Sequence, residues 1–308
     1  MRAAYWQVTM TDARAARCWF IAPLNLLAAG VARLPQKMLL ALGVLLTWLS
    51  WPLTGKRRRY ARVNIALCFP GLDAAAQRRL LYQNLRATVI GTLELVRAWY
   101  APASQLRGTF DVAGLEHLRQ AHAQGRGVLL LSAHFTHVDL GGRLLSEALG
   151  TRFSVMVRRN NNPCIERLQD EARLRVFAQA IDKKDVRALL RALGKGGVVG
   201  YVADQDFNYQ HAFVPFFGIP AATLTAVSVL ARRSGAIVLP YWFNREADGR
   251  YRLQVEPQWE GWPSDDPAAD AARYMAELEK VVRRNPEQYL WVHRRFKTRP
   301  PGEKGFYT

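Results

Sequence analysis

The pattern of hydrophobic and polar positions divides the chain into an apolar N-terminal region and a longer region in which helical and strand patterns alternate. Two apolar runs open the chain, at residues 18–32 and 38–53, and the second contains no charged residue. As a helix, the second run would be about 24 Å long, somewhat shorter than a hydrocarbon core of about 30 Å. We therefore predict a membrane-anchoring helix that is tilted across the bilayer, re-entrant or interfacial.

The residues that flank the second run favour a membrane over two alternatives. Trp48 and Trp51 lie near its end, where aromatic rings favour the membrane interface. The basic segment 56–62 follows at once and would remain on the cytoplasmic side, next to anionic headgroups. The alternatives are a buried core helix and a signal peptide, since residues 30–32 resemble a cleavage site.

Residues beyond this region alternate between helical and strand patterns. Residues 73–100 predict a long helix with an apolar stripe, and Asp73 occupies its N-cap position. Buried strands are predicted at 128–131, 153–157, 198–202, 236–243 and 251–255. Helices are predicted at 140–149, 163–180, 184–193, 224–233 and 268–284. This order predicts an α/β fold, with a central mixed, mainly parallel sheet flanked by helices.

The charge of the chain indicates an anionic partner. Lys and Arg total 43 against 25 for Asp and Glu, which gives a net charge of +18. Such an excess favours nucleic acid, an anionic membrane, or acidic substrates and proteins. No nucleic-acid recognition motif is present, and the apolar N-terminus favours a membrane.

The chain has three cysteines, Cys18, Cys68 and Cys164, an odd number at widely separated positions. We therefore predict no disulfide and no zinc site, a cysteine usage that is typical of a reducing compartment.

The best candidate for catalysis lies where a predicted strand passes into a helix. His134 follows the apolar run 128–131, and Asp139 begins the helix five residues later. A turn between them would bring the carboxylate to one ring nitrogen and leave the other as a general base for a hydroxyl group. The alternatives are a histidine of the core or surface beside a helix-capping aspartate, and His137 as the base.

Other polar residues at predicted strand ends are candidates for substrate binding. Arg158 would hold a phosphate in a bidentate manner, with a solvated turn as the alternative. Asp204 and Asp206 follow a strand and precede the apolar segment 213–217, which suggests a pocket rim or else an acidic turn. No third ligand is placed beside these two aspartates, so no metal site is predicted.

The C-terminal segment 293–299 is basic and contains an aromatic residue. Arg294 and Arg295 in this segment would bind phosphates or an acidic protein. A solvated basic face is the alternative, and it is the usual explanation for a run of charges.

Several motifs together resemble the late acyltransferases of lipid A biosynthesis, over essentially the whole length of the chain. The box from His134 to Asp139 is one of them, and the segment 285–300 is the longest and most specific. The others are Asn-Ile-Ala-Leu-Cys-Phe-Pro at 64–70, Asp-Gln-Asp at 204–206 and Phe-Val-Pro-Phe-Phe-Gly at 213–218.

This resemblance implies an acyltransferase with the fold of the glycerolipid acyltransferases. It implies an acyl carrier protein thioester as co-substrate and no cofactor. The implied acceptor is a phosphorylated glycolipid, a lipid A precursor often bearing Kdo sugars, attacked at the hydroxyl of one of its acyl chains. His134 and Asp139 match the catalytic pair of the family, and Arg158 matches an arginine of its site. We therefore expect residues 1–55 to anchor residues 56–308, the acyltransferase domain, to the cytoplasmic face of a bacterial inner membrane.

The sequence departs from the family pattern at three places near the predicted site. Many relatives have Glu where this chain has Asp139, and many have Pro where it has Arg159. The segment 207–209 replaces a common aromatic-Gly-Pro sequence.

Alternative functions are acylation of a lysophospholipid or an ornithine lipid, thioester hydrolysis, and non-catalytic binding of anionic lipids.

Overall fold

The computed structural model describes residues 18–307, in which helices precede and then alternate with strands. The helices are α1 (Ile21–Ala32), α2 (Gln36–Ser50), α3 (Gly55–Cys68), α4 (Ala74–Tyr100), α5 (Leu115–Ala123), α6 (Val138–Leu149), α7 (Pro163–Arg173), α8 (Val186–Gly194), α9 (Ala226–Ser234) and α10 (Pro267–Arg284). The strands are β1 (Phe110–Ala113), β2 (Val128–Ser132), β3 (Ser154–Val157), β4 (Gln179–Asp182), β5 (Val198–Val202), β6 (His211–Phe216), β7 (Ile219–Leu224), β8 (Ile237–Arg245) and β9 (Tyr251–Val255). Short helical turns lie at Trp51–Thr54, Ala103–Leu106 and Pro286–Gln288.

The central sheet is mainly parallel, as predicted. Its seven strands are ordered β1-β9-β8-β2-β5-β3-β4, and only the β8–β9 pair is antiparallel. All five residues of β2 are buried, because helices cover both faces of the sheet around it. β6 and β7 form a separate antiparallel hairpin, whose turn residues Phe217 and Gly218 both have positive φ.

Helix α4 is the support on which the N-terminal helices pack. The Asp73 side chain caps it by accepting a hydrogen bond from the Ala76 amide at 2.7 Å, as the sequence predicts. α2 turns Leu39, Gly43 and Thr47 toward α4, and these three residues are buried. A side chain at Gly43 would place its Cβ atom 2.4 Å from Ile90 on α4, so the two helices approach closely at this glycine.

The opposite faces of α1 and α2 expose apolar side chains. Leu26 on α1 is 77% exposed, and Trp48 on α2 is 66% exposed. The continuous helical run Gln36–Cys68 is long and apolar enough to cross a bilayer, a property that core helices and signal sequences share. Only 17% of its apolar window is buried, which does not fit a core helix.

One predicted helix is too long. α7 ends at Arg173, whereas the sequence predicted a helix through residue 180. The chain turns after α7 and forms β4, an edge strand parallel to β3. The buried pair Val176 and Phe177 continues the apolar spacing of α7 and so imitates a longer helix. The elements β1, α5 and the β6–β7 hairpin were also not predicted.

The prediction that the cysteines form no disulfide is wrong. Cys18, before α1, is bonded to Cys164 at the start of α7, with Cα atoms 5.6 Å apart. The two cysteines are 146 residues apart in sequence, and the packing of α1 beside the domain brings them together. Cys68 remains a free, buried thiol.

Candidate active site

Strand order places the candidate catalytic residues at one edge of the sheet. Ser132 at the end of β2 lies opposite Val202 at the end of β5. His134 and Asp204 each follow two residues later, so their equal offset on neighbouring parallel strands brings them side by side. β3 lies on the other side of β5, and Arg158 directly follows its last residue. This edge is the carboxyl end of the sheet, where α/β folds bind ligands.

The side chain of His134 is fixed by Asp204. Nδ1 of His134 lies 2.7 Å from Oδ1 of Asp204, and the His134 amide donates to the same oxygen at 3.0 Å. The hydroxyl of Tyr289 donates to Oδ2 of Asp204 at 2.9 Å. Because a carboxylate only accepts hydrogen bonds, this contact favours a proton on Nδ1, so that Nε2 is the free nitrogen of the neutral ring. The His134 side chain is 24% exposed, whereas that of Asp204 is 1% exposed.

Asp204 is stabilised as a carboxylate despite its burial. Burial alone would raise the pKa of Asp204. The charge of His134 and the hydrogen bonds from His134 and Tyr289 outweigh burial and hold this pKa below its ordinary value. A buried, ionised aspartate in this position orients the imidazole ring and stabilises its protonated form.

The sequence predicted that Asp139 would orient His134, and the structure gives that contact to Asp204 instead. Asp139 is in the first turn of α6, where its Oδ1 accepts a hydrogen bond from the indole of Trp99 at 3.3 Å. Burial raises the pKa of Asp139, and the charge of nearby Arg173 offsets this rise only in part. Asp139 therefore lies close to His134 without bonding its ring.

His137, the alternative base, is enclosed in the core. It is 2% exposed and packs edge-to-face against Phe243, with ring centroids 5.2 Å apart. Burial lowers the pKa of His137 to about 4, an effect that the charge of Glu94 only partly opposes. His137 is therefore neutral at physiological pH and inaccessible to a substrate.

An apolar cavity of about 240 Å³ opens beside His134 and Asp139. It lies between the sheet and helices α6 and α7, and Arg158 and Arg173 lie on its polar side. Its apolar lining includes Leu130, Phe153, Val155, Phe177, Gly200 and Phe243. Its shape and lining suit a hydrocarbon chain whose polar end lies next to His134.

Two of the residues predicted to bind substrate instead hold the C-terminal segment in place. Both carboxylate oxygens of Asp206 accept hydrogen bonds from Thr298, at 2.9 Å each. Arg295 is 2% exposed, and its guanidinium donates to the carbonyl of Ala222 at 2.8 Å and to the hydroxyl of Thr223. These contacts attach the C-terminal segment to the loop after β5 and to β7, and neither side chain lines the cavity.

Arg158 and Arg294 occupy different positions relative to the site. Arg158 is exposed and lines the cavity that contains Asp139. Arg294 stacks over the ring of Tyr60 on α3, with its guanidinium carbon 5.4 Å from the ring centroid. Of these two arginines, the structure therefore brings Arg158 to His134 and directs Arg294 toward α3.

The site residue that the sequence analysis missed is Tyr289. It lies next to the catalytic turn, where Phe135 pairs with it as an antiparallel bridge and the amide of Leu290 donates to the carbonyl of His134 at 3.1 Å. Tyr289 falls within the segment 285–300, which the family resemblance singled out as its most specific motif. That motif was the available signal, although nothing in it indicated a contact with Asp204.

Within residues 18–307, no group of three or more His, Cys, Asp or Glu side chains is arranged to hold a metal ion. Both oxygens of Asp204 already accept hydrogen bonds from His134 and Tyr289.

Replacing Gly91 with alanine should damage the catalytic turn. Gly91 on α4 lies so close to Thr136 that an added Cβ would be 2.0 Å from the Thr136 carbonyl oxygen. Because that contact is with backbone, relief requires α4 or the turn after His134 to move. We expect a loss of about 1–3 kcal/mol in the free energy of unfolding and at least a tenfold fall in activity, since small displacements of catalytic groups are costly.

The matched control is Gly30→Ala on α1, where no atom lies within 4 Å of the added Cβ. This variant should be neutral or slightly stabilised, because alanine favours a helix over glycine. Thermal unfolding and turnover of both variants are the measurements. A Gly91→Ala enzyme with wild-type values would contradict the close approach of α4 to the turn.

Comparison with known proteins identifies the family. Residues 9–298 match the model of the bacterial lipid A biosynthesis acyltransferases. The chain is 38% identical over 279 residues to the lipid A biosynthesis palmitoleoyltransferase of Escherichia coli (strain K12), covering 89% of this chain and 90% of the relative. It is 36% identical over 283 residues to the lauroyltransferase of the same organism, covering 90% and 91%. It is 28% identical over 280 residues to the myristoyltransferase, covering 89% and 86%. The chain therefore belongs to the bacterial lipid A biosynthesis acyltransferase family and is an acyltransferase.

Proposed function

We propose that this enzyme transfers a fatty acyl chain from an acyl carrier protein thioester to a hydroxyl group of an acyl chain on a Kdo-bearing lipid A precursor. The observation that supports this most directly is the 2.7 Å contact between Nδ1 of His134 and Asp204 at the mouth of an apolar cavity. That contact leaves Nε2 as a base for the acceptor hydroxyl, while the cavity receives the acyl chain of the donor.

In the proposed reaction, His134 both removes and returns one proton. Nε2 takes the proton of the acceptor hydroxyl as its oxygen attacks the thioester carbonyl carbon. The carbon–sulfur bond then breaks, and the imidazolium of His134 gives its proton to the departing thiolate. Asp204 keeps the ring oriented and stabilises its charge between the two transfers. The products are an ester and a free thiol, and neither a cofactor nor an enzyme nucleophile takes part.

Asp139 keeps a place in the proposal as a residue on the donor side. It lines the apolar cavity together with Arg158 and Arg173. Its position beside the polar end of the cavity would let it contact the donor next to the thioester. In this mechanism Asp204, rather than Asp139, orients the base.

Charge and exposed apolar surface support the proposed partners and location. The net charge of +18 favours an acidic carrier protein, a phosphorylated acceptor and an anionic membrane surface. The exposed apolar faces of α1 and α2 would anchor the domain at the cytoplasmic face of the bacterial inner membrane.

Enlarging Gly200 should shorten the preferred acyl chain. Gly200 on β5 lines the cavity, and an added Cβ would lie 3.4 Å from Phe153 and 3.5 Å from Val155, ordinary van der Waals distances. Gly200→Val should therefore fold and fill space that the acyl chain occupies. Excluding about two methylene groups, at about 0.8 kcal/mol each, should lower kcat/KM for the longest accepted donor by about tenfold.

A series of carrier protein thioesters of increasing chain length is the measurement for this prediction. Gly194→Val, at the end of α8 with no atom within 4 Å of the added Cβ, is a control that leaves the cavity unchanged. An unchanged chain-length profile in Gly200→Val would mean that the acyl chain lies elsewhere.

The function itself is tested by identifying the product. Purified, detergent-solubilised protein is incubated with a Kdo-bearing lipid A precursor and a mixed pool of acyl carrier protein thioesters, and mass spectrometry reads the products. A single added acyl mass that requires His134 supports the proposal. Release of free fatty acid instead would indicate a thioesterase. Transfer only to a lysophospholipid or an ornithine lipid, supplied in parallel, would replace the lipid A acceptor.

A further inference from the structure

A second opening, distinct from the apolar cavity, also reaches His134. This groove has a volume of about 650 Å³, and His134 and Arg158 lie in its wall. Thr47, Ser50, Thr54 and Arg57 of the N-terminal region form one part of its wall, and residues of α4 and of the segment 290–293 form other parts. Two routes therefore meet at the same histidine: the smaller apolar cavity, and a wider groove whose wall also carries hydroxyl and guanidinium groups.

The groove carries positive charge with no carboxylate in its described lining. Arg57 and Arg158 are its two guanidinium groups, and no Asp or Glu is among its lining residues in the part of the chain that the structure describes. The closest hydrogen bond described for Arg57 is a long one, 3.4 Å to the carbonyl of Val292. Arg159, by contrast, binds the carboxylates of Glu166, Asp170 and Asp182 just outside the groove.

Two arginines in a groove without a lining carboxylate are suited to bind an anion. Guanidinium groups bind phosphate through paired hydrogen bonds, and hydroxyl side chains complete such sites. Arg57 and Arg158 are both exposed, so they reach a ligand without a change in the core. The hydroxyls of Thr47 and Ser50 already donate to backbone carbonyls, which leaves the arginines as the main donors.

The same N-terminal helix links the groove to a lipid surface. α2 contributes Thr47 and Ser50 to the groove, whereas its neighbouring residues Trp48 and Leu49 are 66% and 63% exposed. Exposed tryptophan and leucine on this face suit the boundary between acyl chains and headgroups. A lipid held with its chains in that boundary would present its headgroup to the groove.

We propose that Arg57 and Arg158 bind a phosphate group of the glycolipid acceptor and so hold its hydroxyl at Nε2 of His134. This inference rests on the proposed function and adds to it a phosphate site, with Arg57 on the membrane side and Arg158 on the side of the sheet. The phosphodiester of the carrier protein's prosthetic arm has the same chemistry. We assign the site to the acceptor because the lipid-facing helix α2 forms part of its wall.

The test compares an intact acceptor with the same acceptor after phosphatase treatment. Arg57→Ala should raise KM for the intact acceptor by about ten- to a hundredfold, the range expected for a lost hydrogen bond between charged groups. KM for the acyl carrier protein thioester should stay within about twofold. With the dephosphorylated acceptor, wild type and Arg57→Ala should have similar KM values. Arg57→Lys should recover only part of the loss, because lysine cannot form the paired contact.

Arg59→Ala is the matched control, since Arg59 is exposed on the same helix and does not line the groove. It removes the same charge and should change KM for the intact and treated acceptors by the same factor.

Three results would overturn the phosphate site. These are an equal loss with both acceptors, a change confined to KM for the thioester donor, or no difference between Arg57→Ala and Arg59→Ala. Each of them leaves the proposed function standing as long as wild type acylates the lipid A precursor. Absence of any glycolipid product with wild type would reject the proposed function itself.

Discussion

Replacement of His134 with alanine is expected to lower kcat for acyl transfer by about 10²- to 10⁴-fold, with little change in KM for either substrate. This range is the usual contribution of a general base positioned on a reacting hydroxyl. The side chain is 24% exposed and lies where the apolar cavity and the wider groove meet. Its removal therefore affects proton transfer without leaving a cavity in the hydrophobic core.

Turnover under saturating substrates is the measurement, with product identified by mass. His117→Ala is a suitable control, because His117 lies on α5 with a side chain that is 35% exposed and lines neither opening. Added imidazole should restore part of the activity of His134→Ala, since the vacated space adjoins solvent. Full activity without His134, in a sample free of wild-type enzyme, would reject the mechanism.

Asp204→Asn is expected to lower kcat by about 10²- to 10⁴-fold, more than Asp139→Asn. A carboxylate at this position accepts the Nδ1 proton of His134, whereas an amide can turn its NH₂ group toward Nδ1 and favour the wrong tautomer. The buried carboxylate also stabilises the imidazolium that forms as the acceptor hydroxyl is deprotonated. Because Asp204 acts through His134, KM for both substrates should change little.

Asp139→Asn is the matched comparison, as it makes the same substitution in the other acid next to His134. Tyr289→Phe gives an intermediate test, because it removes one hydrogen bond, of 2.9 Å, to Asp204 and keeps the carboxylate. We expect a smaller fall for it, about tenfold, consistent with loss of one hydrogen bond to a charged group. A larger kcat loss in Asp139→Asn than in Asp204→Asn, with both proteins folded, would assign the orienting role to Asp139.

Local sequence patterns predicted the elements that present the site. A short apolar run after Gly125 and Gly127 predicted β2 as a buried strand, and all five of its residues are buried. His134 follows that run and was therefore predicted to lie at a strand end. The N-cap at Asp73 and the apolar stripe behind it predicted α4 to within a residue. These features depend on residues close together in the chain, so the sequence alone determines them.

Motifs in the sequence also predicted the family and the enzyme class, which the comparisons confirm. The sequence could not assign individual roles within those motifs. Asp206 and Arg295 have the charge and position expected of substrate-binding residues. Their contacts with Thr298, Ala222 and Thr223 instead serve to attach the C-terminal segment.

The identity of the residue that orients His134 was decided by tertiary structure. Asp139 is five residues away in sequence, and Asp204 is seventy residues away along the chain. β5 nevertheless lies directly beside β2, because β3 and β4 are placed beyond it in the sheet. The parallel register then sets Asp204 level with His134. Strand order follows from how helices pack on the two faces of the sheet, and no local pattern encodes it. The same reason explains why the Cys18–Cys164 pair and the groove between α2 and the sheet emerge only from the folded chain.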